Sequence, residues 1–360
     1  MGIRDFIEGL ERIGRLRRVS RPVSCVHELG AMARAARCPI LFENVKEYPA
    51  KSVLVNGLAD YRCMALALGY HDTGVNFRQL VRAVRERRKQ VLRPATARGP
   101  CGNMVVRTGS RCDLAELPAP WWHPADGGRY VGTWHLNVTR HPTTGEPNAG
   151  VYRMQVIDRN HTTVSVSPRS HLASHMRVAE AQNEPLPMAV AIGVPEAAVI
   201  AASAAVEAGV DELAFAGTLL GHALDVVPCA AVGLQVPRSA EIVLEGMLLP
   251  HVRVSDGPFM DYAGVADTNP RALLFEVHRI ALRADAVFRG ASVGLPGAED
   301  HVLFSVLAAA GLADFHGARS RHLIQTFLLR NRFFRLMQMS GRVSQRMPRP
   351  HRKAPHAHNS

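Results

Sequence analysis

The chain has 360 residues, of which 47% are hydrophobic and 21% are charged, a balance that excludes an intrinsically disordered protein. The formal net charge of +12 by itself favours a nucleic-acid or anionic-surface ligand. Residues 301–360, however, hold ten Lys or Arg and a single acid, so this segment carries +9 and the remainder only +3. The charge therefore argues against nucleic acid as the main ligand of the body of the protein.

The cysteines and the apolar runs narrow the protein class further. Six cysteines are scattered without a CxxC pair, which is typical of reduced thiols and predicts a cytoplasmic location. No apolar run reaches the roughly 18–20 residues of a membrane span, and the N-terminus has no apolar signal core. The length predicts two domains, because a single core rarely exceeds about 250–300 residues.

Short helices and strands are predicted for the first third of the chain. An amphipathic helix is predicted over 3–18, because Phe6, Ile7 and Leu10 fall on one face. Three kinds of segment follow in chain order: strands at 39–45 and 52–58, a helix at about 75–92 with a solvent-exposed basic side, and a Pro/Gly-rich linker over 93–128.

Strands dominate the middle of the chain. A hairpin is predicted with its turn over 142–148, where Thr-Thr-Gly-Glu-Pro interrupts two apolar runs. The predicted strands are at 131–140, 150–158, 162–166, 188–193, 226–235 and 241–248, and the predicted helices are near 170–183 and 195–207.

Three segments place polar side chains within apolar patterns. Arg153 lies in a predicted strand five residues after Asn148, and Glu212 follows Gly-Val-Asp. Asp256 and Asp261 flank a Gly-Pro pair, which favours a turn and would bring both carboxylates to one pocket. Taken singly, these segments are more typical of a surface arginine, a solvated acid in a first helical turn and an ordinary acidic loop, respectively. The residues alone leave both interpretations open.

Taken together, these segments resemble the UbiD family of decarboxylases, which use prenylated FMN. The similarity runs from the N-terminus to about residue 300. It is carried by motifs in the family's order and spacing: Asp5-Phe-Ile-Glu-Gly-Leu-Glu, Leu41-Phe-Glu-Asn-Val-Lys-Glu-Tyr-Pro, Asp113-Leu-Ala-Glu-Leu-Pro, Trp122-His-Pro-Ala-Asp-Gly-Gly-Arg-Tyr, Asn148 with Tyr152-Arg-Met-Gln, Ala189-Val-Ala-Ile-Gly, Gly209-Val-Asp-Glu and Asp256-Gly-Pro-Phe.

The resemblance implies an α/β (α+β) fold in three parts. These are an N-terminal α/β domain over 1–110, a split β-barrel that binds the flavin over 111–300, and a divergent basic tail over 301–360, helical or disordered. Family members usually continue into a C-terminal domain, whereas the tail is rich in Arg and poor in acids. We interpret it as the result of truncation or a frameshift; a replacement module and a membrane-surface helix are the alternatives.

The resemblance also implies a metal site. Asn148, His171 and Glu212 match the family's ligands for a divalent ion, typically Mn²⁺, which holds the cofactor phosphate. An amide oxygen, an imidazole and a carboxylate form a mixed hard ligand set suited to such an ion. His175 lies one helical turn from His171 and is the alternative ligand. A monovalent cation, usually K⁺, is implied beside the backbone near 202–204.

Arg153, Asp256 and Asp261 match the family's catalytic arginine and its two acids. The implied roles are carboxylate binding by Arg153, proton donation by Asp261, and completion of the charge network by Asp256. A proton donor must be neutral, so Asp261 is expected to need a raised pKa. The family usually has Glu where Asp256 stands and Gly where Met260 stands, which predicts a shifted pocket.

The resemblance implies further contacts and partners. Cofactor contacts are implied at Asn148, Val151, Tyr152, Arg153, Ser170, Ser203 and Glu212. The implied activity is non-oxidative decarboxylation of an α,β-unsaturated or aromatic carboxylic acid, with a flavin prenyltransferase as cofactor supplier and a second copy of the chain as partner. The alternatives are an inactive remnant of the family and a binder of nucleic acid or anionic surfaces through the tail. The sequence leaves the substrate and the oligomeric state open.

Overall fold

The computed structural model describes residues 1–70, 74–87, 91–99, 101, 103–294 and 298–313, so most of the predicted tail lies outside the described residues. The helices are α1 (Ile3–Arg12), α2 (Glu28–Ala35), α3 (Tyr61–Ala67), α4 (Phe77–Arg87), α5 (His171–Ala181), α6 (Glu196–Ala202), α7 (Glu212–Leu220) and α8 (Glu299–Ala310). The strands are β1 (Arg17–Val19), β2 (Ile40–Phe42), β3 (Ser52–Val55), β4 (Ala95–Thr96), β5 (Met104–Thr108), β6 (Tyr130–Gly132), β7 (His135–Arg140), β8 (Pro147–Gly150), β9 (Met154–Gln155), β10 (His161–Val164), β11 (Leu186–Ile192), β12 (Asp225–Pro228), β13 (Gln235–Pro237), β14 (Ile242–Met260), β15 (Ala266–Arg283) and β16 (Val287–Arg289).

The first helix is shorter than predicted. Its buried side chains, among them Phe6 and Leu10, repeat at the predicted helical spacing. The predicted continuation to residue 18 was wrong, because Gly14 adopts a φ of 66° and the chain turns there. Residues 17–19 then form a strand instead.

A four-stranded sheet forms the N-terminal layer, in the order β1-β2-β3-β16. The β2–β3 pair is antiparallel, while β1 and β16 pair in parallel with their neighbours. Strand β16 is distant in sequence from the other three strands of this sheet, because it follows the long strands β14 and β15. The division of the chain at residues 110 and 300 stays a prediction.

The large sheet is antiparallel, in the order β10-β15-β14-β11-β7-β8, with β5 also paired to β15. Its centre is the hairpin of β14 and β15, strands of 19 and 18 residues. Register shifts interrupt this pair, one of them at Gly246, where a Cβ would lie 1.9 Å from the Glu276 carbonyl oxygen. Because such bulges bend and twist strands, the sheet curls into a half-barrel.

The core lies on both faces of this sheet. Along β11, Met188, Val190 and Ile192 belong to one buried cluster, and Ala189 and Ala191 belong to the other. This division follows from the two-residue period of side chains along a strand. The larger residues belong to the cluster that also contains residues of β2 and β3, whereas the alanines allow close packing of the cluster that contains α6 and α7.

The turn between β7 and β8 falls earlier than predicted, at residues 141–146. The register pairs Asn148 with Thr139 and Gly150 with Asn137, so Asn148 belongs to β8 and not to the turn. The helices are short: α8 is the longest described, with 12 residues. No helix in the described ranges combines the length and hydrophobicity required to cross a bilayer.

Candidate active site

Three of the predicted ligands meet where β8 approaches the first turns of α5 and α7. Asn148 lies in β8 and is buried, while His171 and Glu212 are the first residues of α5 and α7. The His171 Nδ1 atom is 3.6 Å from Glu212 Oε1. The backbone N–H of Ala149 donates to Glu212 Oε2 at 2.9 Å. The fold therefore gathers an amide, an imidazole and a carboxylate that are distant in sequence.

The two histidines of α5 have different surroundings. His171 lies beside the Glu212 carboxylate, whose hydrogen bond raises the pKa of the imidazole. His175 is buried, with Nδ1 3.0 Å from Thr139 Oγ1. Burial, helped by the neighbouring His141 and His171, lowers the pKa of His175 to about 4. One imidazole thus neighbours a carboxylate and the other a hydroxyl.

The Thr139 hydroxyl also connects His175 to Asn148, because Asn148 Nδ2 donates to Thr139 Oγ1 at 3.4 Å. Within the described ranges, no cluster of three or more His, Cys, Asp or Glu residues could hold a metal ion. The set at this site contains only two residues of those types, and its third member is the amide of Asn148.

A cleft of about 330 Å³ opens over these residues. It continues into a second cavity of about 280 Å³, because Tyr152, Ala202, Ser203 and Phe304 line both. Six of the seven predicted cofactor contacts line this pair of cavities: Asn148, Val151, Tyr152, Ser170, Ser203 and Glu212. The seventh, Arg153, directly follows Tyr152 in the chain but is not among the lining residues, and it pairs with Asp256 and Asp267.

Two helix N-termini flank the first cavity. Ser170 caps α5 through a 3.2 Å bond from the N–H of Ala173, and Asp211 caps α7 through a 2.8 Å bond from the N–H of Leu213. The first turn of a helix carries free N–H groups and a partial positive charge, which attract anions. The α5 N-terminus therefore suits an anion, whereas at α7 the carboxylates of Asp211 and Glu212 already lie at the helix N-terminus.

The loop after β8 is held tightly at the junction of the two cavities. The backbone N–H of Tyr152 donates to Asn137 Oδ1 at 3.1 Å. The Tyr152 ring lies over Gly150, where a Cβ would come within 2.4 Å of a ring carbon. Only glycine permits this approach, which explains the residue type at the end of β8.

Arg153 forms a buried ion pair with Asp256. Its Nε donates to Asp256 Oδ1 at 2.5 Å, and Thr163 Oγ1 donates to Asp256 Oδ2 at 2.6 Å. The Asp256 side chain is 0% exposed. Burial disfavours the guanidinium charge, but the carboxylates of Asp256 and Asp267 outweigh it and raise the pKa of Arg153. The arginine is therefore a permanent cation.

The second carboxylate at Arg153 is Asp267, whose Oδ2 accepts from Nη1 at 3.0 Å. Asp261 is placed elsewhere: its Oδ1 accepts from the N–H groups of Ala263 at 2.8 Å and Val265 at 3.2 Å. It thus closes the turn between β14 and β15. Among the described residues, the carboxylates paired with Arg153 are those of Asp256 and Asp267.

The Gly257–Pro258 pair does not form the predicted turn. It lies inside β14, at a register shift between Asp256 and Phe259, with Gly257 at a φ of 104°. The predicted turn was wrong because β14 continues to Met260 against β15. The chain reverses only after that point.

Sequence reasoning missed Asp267 and Thr163. The register of the long hairpin pairs Asp267 of β15 with Phe259 of β14. Phe259 lies three residues after Asp256 in the same strand. The strand predicted at 241–248 stops before this region, so no contact across the hairpin was predicted. A longer strand pair would have placed Asp267 near Asp256.

Two family models match the chain. The 3-octaprenyl-4-hydroxybenzoate carboxy-lyase Rift-related domain, UbiD, matches residues 93–296, which is more than half of the chain. The chain belongs to the UbiD family. The N-terminal domain of the same carboxy-lyases matches residues 7–84. The predicted family is therefore confirmed, and it is a family of carboxy-lyases.

Solved structures of UbiD-class enzymes share this fold. Vanillic acid decarboxylase of Sedimentibacter hydroxybenzoicus, in a closed form, is 29% identical with a TM-score of 0.81, over 85% of this chain and 67% of that one. An evolved dimeric form of HmfF from Pelotomaculum thermopropionicum, in complex with prenylated FMN, is 27% identical with a TM-score of 0.78, over 91% and 82%. The 3,4-dihydroxybenzoic acid decarboxylase of Klebsiella pneumoniae is 26% identical with a TM-score of 0.77, over 86% and 68%. These likenesses confirm the predicted fold class.

Proposed function

We propose that this protein is a non-oxidative decarboxylase of an α,β-unsaturated or aromatic carboxylic acid, with prenylated FMN as cofactor. The observation that carries the proposal is the buried ion pair between Arg153 and Asp256. Arg153 directly follows Tyr152, which lines the cleft. Family membership and the HmfF complex with prenylated FMN support the same cofactor.

The residues at the first end of the cleft fit a phosphate held by a divalent cation. Asn148 and Glu212 are both at least 97% buried, and a buried carboxylate is stabilised by a cation. We assign Mn²⁺ to Asn148, His171 and Glu212. His171 is preferred to His175 because it lies beside Glu212, whereas His175 is bound to Thr139. We also propose K⁺ at the backbone near 202–204.

When bound, the prenylated flavin supplies the electron sink for decarboxylation. Arg153 is assigned to bind the substrate carboxylate, because a guanidinium offers several N–H donors in a plane. The bond between the carboxyl carbon and its neighbour breaks, carbon dioxide leaves, and the electron pair remains on the neighbouring carbon. That carbon then takes a proton from an acid. Asp256, held by Thr163, keeps Arg153 oriented throughout.

We assign proton donation to Asp261. Its carboxylate is half-buried at the tip of the β14–β15 hairpin, where solvent can return the proton after each turnover. To reach the substrate it has to release the two backbone N–H groups of Ala263 and Val265. The assignment therefore requires a movement of the hairpin tip during the cycle.

The test is expression together with a flavin prenyltransferase, the proposed cofactor supplier. The expected result is a purified protein with flavin absorbance and stoichiometric flavin in native mass spectrometry, which releases carbon dioxide from members of a panel of unsaturated and aromatic acids. A colourless protein without flavin mass would refute the proposal and favour an inactive remnant. Light scattering on the same sample measures the proposed homo-oligomer.

Matched variants test the roles of the residues. Arg153→Ala and Asp261→Asn should each abolish carbon dioxide release with flavin still bound. The controls are Arg159→Ala, an arginine in an exposed pair with Asp113, and Asp158→Asn, an acid that also accepts from two backbone N–H groups in a turn. Both controls should retain activity. Activity retained in either test variant would refute the corresponding assignment.

A further inference from the structure

Asp300 is a buried acid that the proposed mechanism does not use. It is the second residue of α8, its exposure is 4%, and neither carboxylate oxygen has a hydrogen-bond partner in the described part of the chain. Burying an unpaired carboxylate costs stability. An acid in a first helical turn would gain the dipole interaction equally well if it were exposed. Packing and helix formation therefore do not explain this residue.

The neighbouring acid, Glu299, is buried as well, but its carboxylate has hydrogen-bond and ion-pair partners. It accepts from the N–H groups of Asn56 at 2.9 Å and Leu58 at 3.1 Å, and it pairs with Arg289. Glu299 thus anchors the start of α8 rigidly to the N-terminal layer. This anchor fixes the position of Asp300 next to it.

Asp300 lines the second cavity, together with Trp134, Val151, Tyr262 and Leu303. These walls are mainly aromatic and aliphatic, and the cavity adjoins the metal-site end of the cleft through Tyr152 and other shared residues. A mainly apolar cavity with a small number of polar groups, here including the Asp300 carboxylate, is typical of a site for a largely apolar ligand with a polar substituent.

The charge of Asp300 decides which substituent fits. Burial raises the pKa of its carboxyl to about 6, so at neutral pH the group is still mainly ionised. An ionised carboxylate only accepts hydrogen bonds. The ligand must therefore bring a donor, and a hydrogen bond to a buried charge is stronger than one between neutral groups.

We propose that Asp300 is a specificity-determining residue, which accepts a hydrogen bond from a hydroxyl or amino group on the body of the substrate acid. This inference rests on the proposed function and narrows its substrate class to acids that carry such a donor. It also explains why a buried carboxylate without a partner is present in the cavity.

The experiment measures dissociation constants by calorimetry on the flavin-loaded protein at pH 7.5. The ligands are 4-hydroxybenzoate, 4-aminobenzoate, and 4-methylbenzoate, which has nearly the same size but no donor. The wild type should bind at least one of the two donor acids about tenfold or more tightly than 4-methylbenzoate. Comparison of the affinities for 4-hydroxybenzoate and 4-aminobenzoate shows whether the site prefers a hydroxyl or an amino donor.

The variants show whether the preference comes from Asp300. Asp300→Leu should abolish the preference, and Asp300→Asn, which keeps an acceptor oxygen, should retain part of it. Asp225→Leu, at an exposed acid of β12, is the control and should leave the preference unchanged. Thermal unfolding provides a second readout: removal of an unpaired buried charge should raise the Tm of Asp300→Leu.

The outcomes separate this inference from the proposed function. Equal wild-type affinity for all three acids, no binding of any of them, or an unchanged preference in Asp300→Leu overturns the role of Asp300. A protein that binds the donor acids selectively through Asp300 but releases no carbon dioxide overturns the proposed function and leaves the role of Asp300 standing.

Discussion

Replacement of Arg289 should destabilise this protein more than any surface substitution. Arg289, in β16, is 1% exposed and lies between two buried acids. Its Nε donates to Glu196 Oε1 at 2.6 Å, and its Nη1 donates to Glu299 Oε1 at 3.0 Å. Trp134 donates to the other oxygen of Glu196 at 2.8 Å. This cluster joins α6, β16 and α8 beside the proposed substrate cavity.

The magnitude follows from what Arg289→Met leaves behind. Methionine fills much of the volume of the arginine stem, so the main loss is electrostatic. Two buried carboxylates would then share one site without a cation. Removal of one partner of a buried ion pair costs about 3–5 kcal/mol, against a total folding stability of roughly 5–15 kcal/mol. The variant should therefore lose a large fraction of its free energy of unfolding.

Urea unfolding followed by circular dichroism measures this loss. The control is Arg82→Met, whose partner Glu86 is on the exposed face of α4, with side-chain exposures of 78% and 62%. The Arg82→Met substitution should lower the free energy of unfolding by at most about 0.5 kcal/mol.

A triple variant tests the cause of the loss. Arg289→Met combined with Glu196→Gln and Glu299→Gln removes all three charges and should recover part of the stability of the single variant. A loss of less than about 1 kcal/mol in Arg289→Met, the size of a single neutral hydrogen bond, would contradict this role of the buried charges. A triple variant that is less stable than the single variant would contradict it as well.

Three further predictions concern the cleft and the core. Complete burial lowers the pKa of His135 to about 4, so the unfolded chain takes up a proton near pH 6.5 before the native one does. His135 should therefore contribute about 3 kcal/mol to the free energy of unfolding above pH 6.5, and this contribution should be lost as the pH falls towards 4. Urea unfolding at each pH should show that His135→Leu removes this contribution from the pH dependence. Gly150→Ala should displace the Tyr152 ring and weaken FMN binding about tenfold or more in fluorescence titration, and unchanged affinity would contradict the close contact. Thr139→Val should lower Mn²⁺ affinity about 10–100-fold in calorimetry, because Thr139 orients Asn148, and an unaltered affinity would argue against the assigned ligand set.

Local signals in the sequence were sufficient for several elements near the site. The helix predicted near 170–183 is α5, His171–Ala181. Its start depends on nearby residues alone, because the Ser170 hydroxyl accepts a hydrogen bond from the N–H of Ala173 and caps the helix. The motif with Asn148 and the motif with Glu212 were recognised from their residues, and both line the same cleft. Helix caps and short motifs are local, so they can be read from a few adjacent positions.

Contacts across the sheet could not be read in this way. The predicted meeting of Asp256 and Asp261 at a Gly-Pro turn assumed that the chain reverses at that pair. Pairing with β15 instead extends β14 to Met260, which brings Asp267 to Arg153 and leaves Asp261 in the turn beyond. Strand length and register depend on the partner strand, and a sequence read along one strand does not contain that partner.

By itself, the sequence determined the family, the approximate positions of helices α1, α4, α5 and α6, and the motifs with Asn148 and Glu212 that line the cleft, because these depend on short local patterns. It also located the excess positive charge in residues 301–360, away from the body of the protein. Only the tertiary structure decided that Asp267 shares Arg153 with Asp256, and that Asp300 is buried without a partner in an apolar cavity. Burial and the pairing of charges are properties of residues brought together from distant parts of the chain, so they appear only when the sheet and α8 are packed.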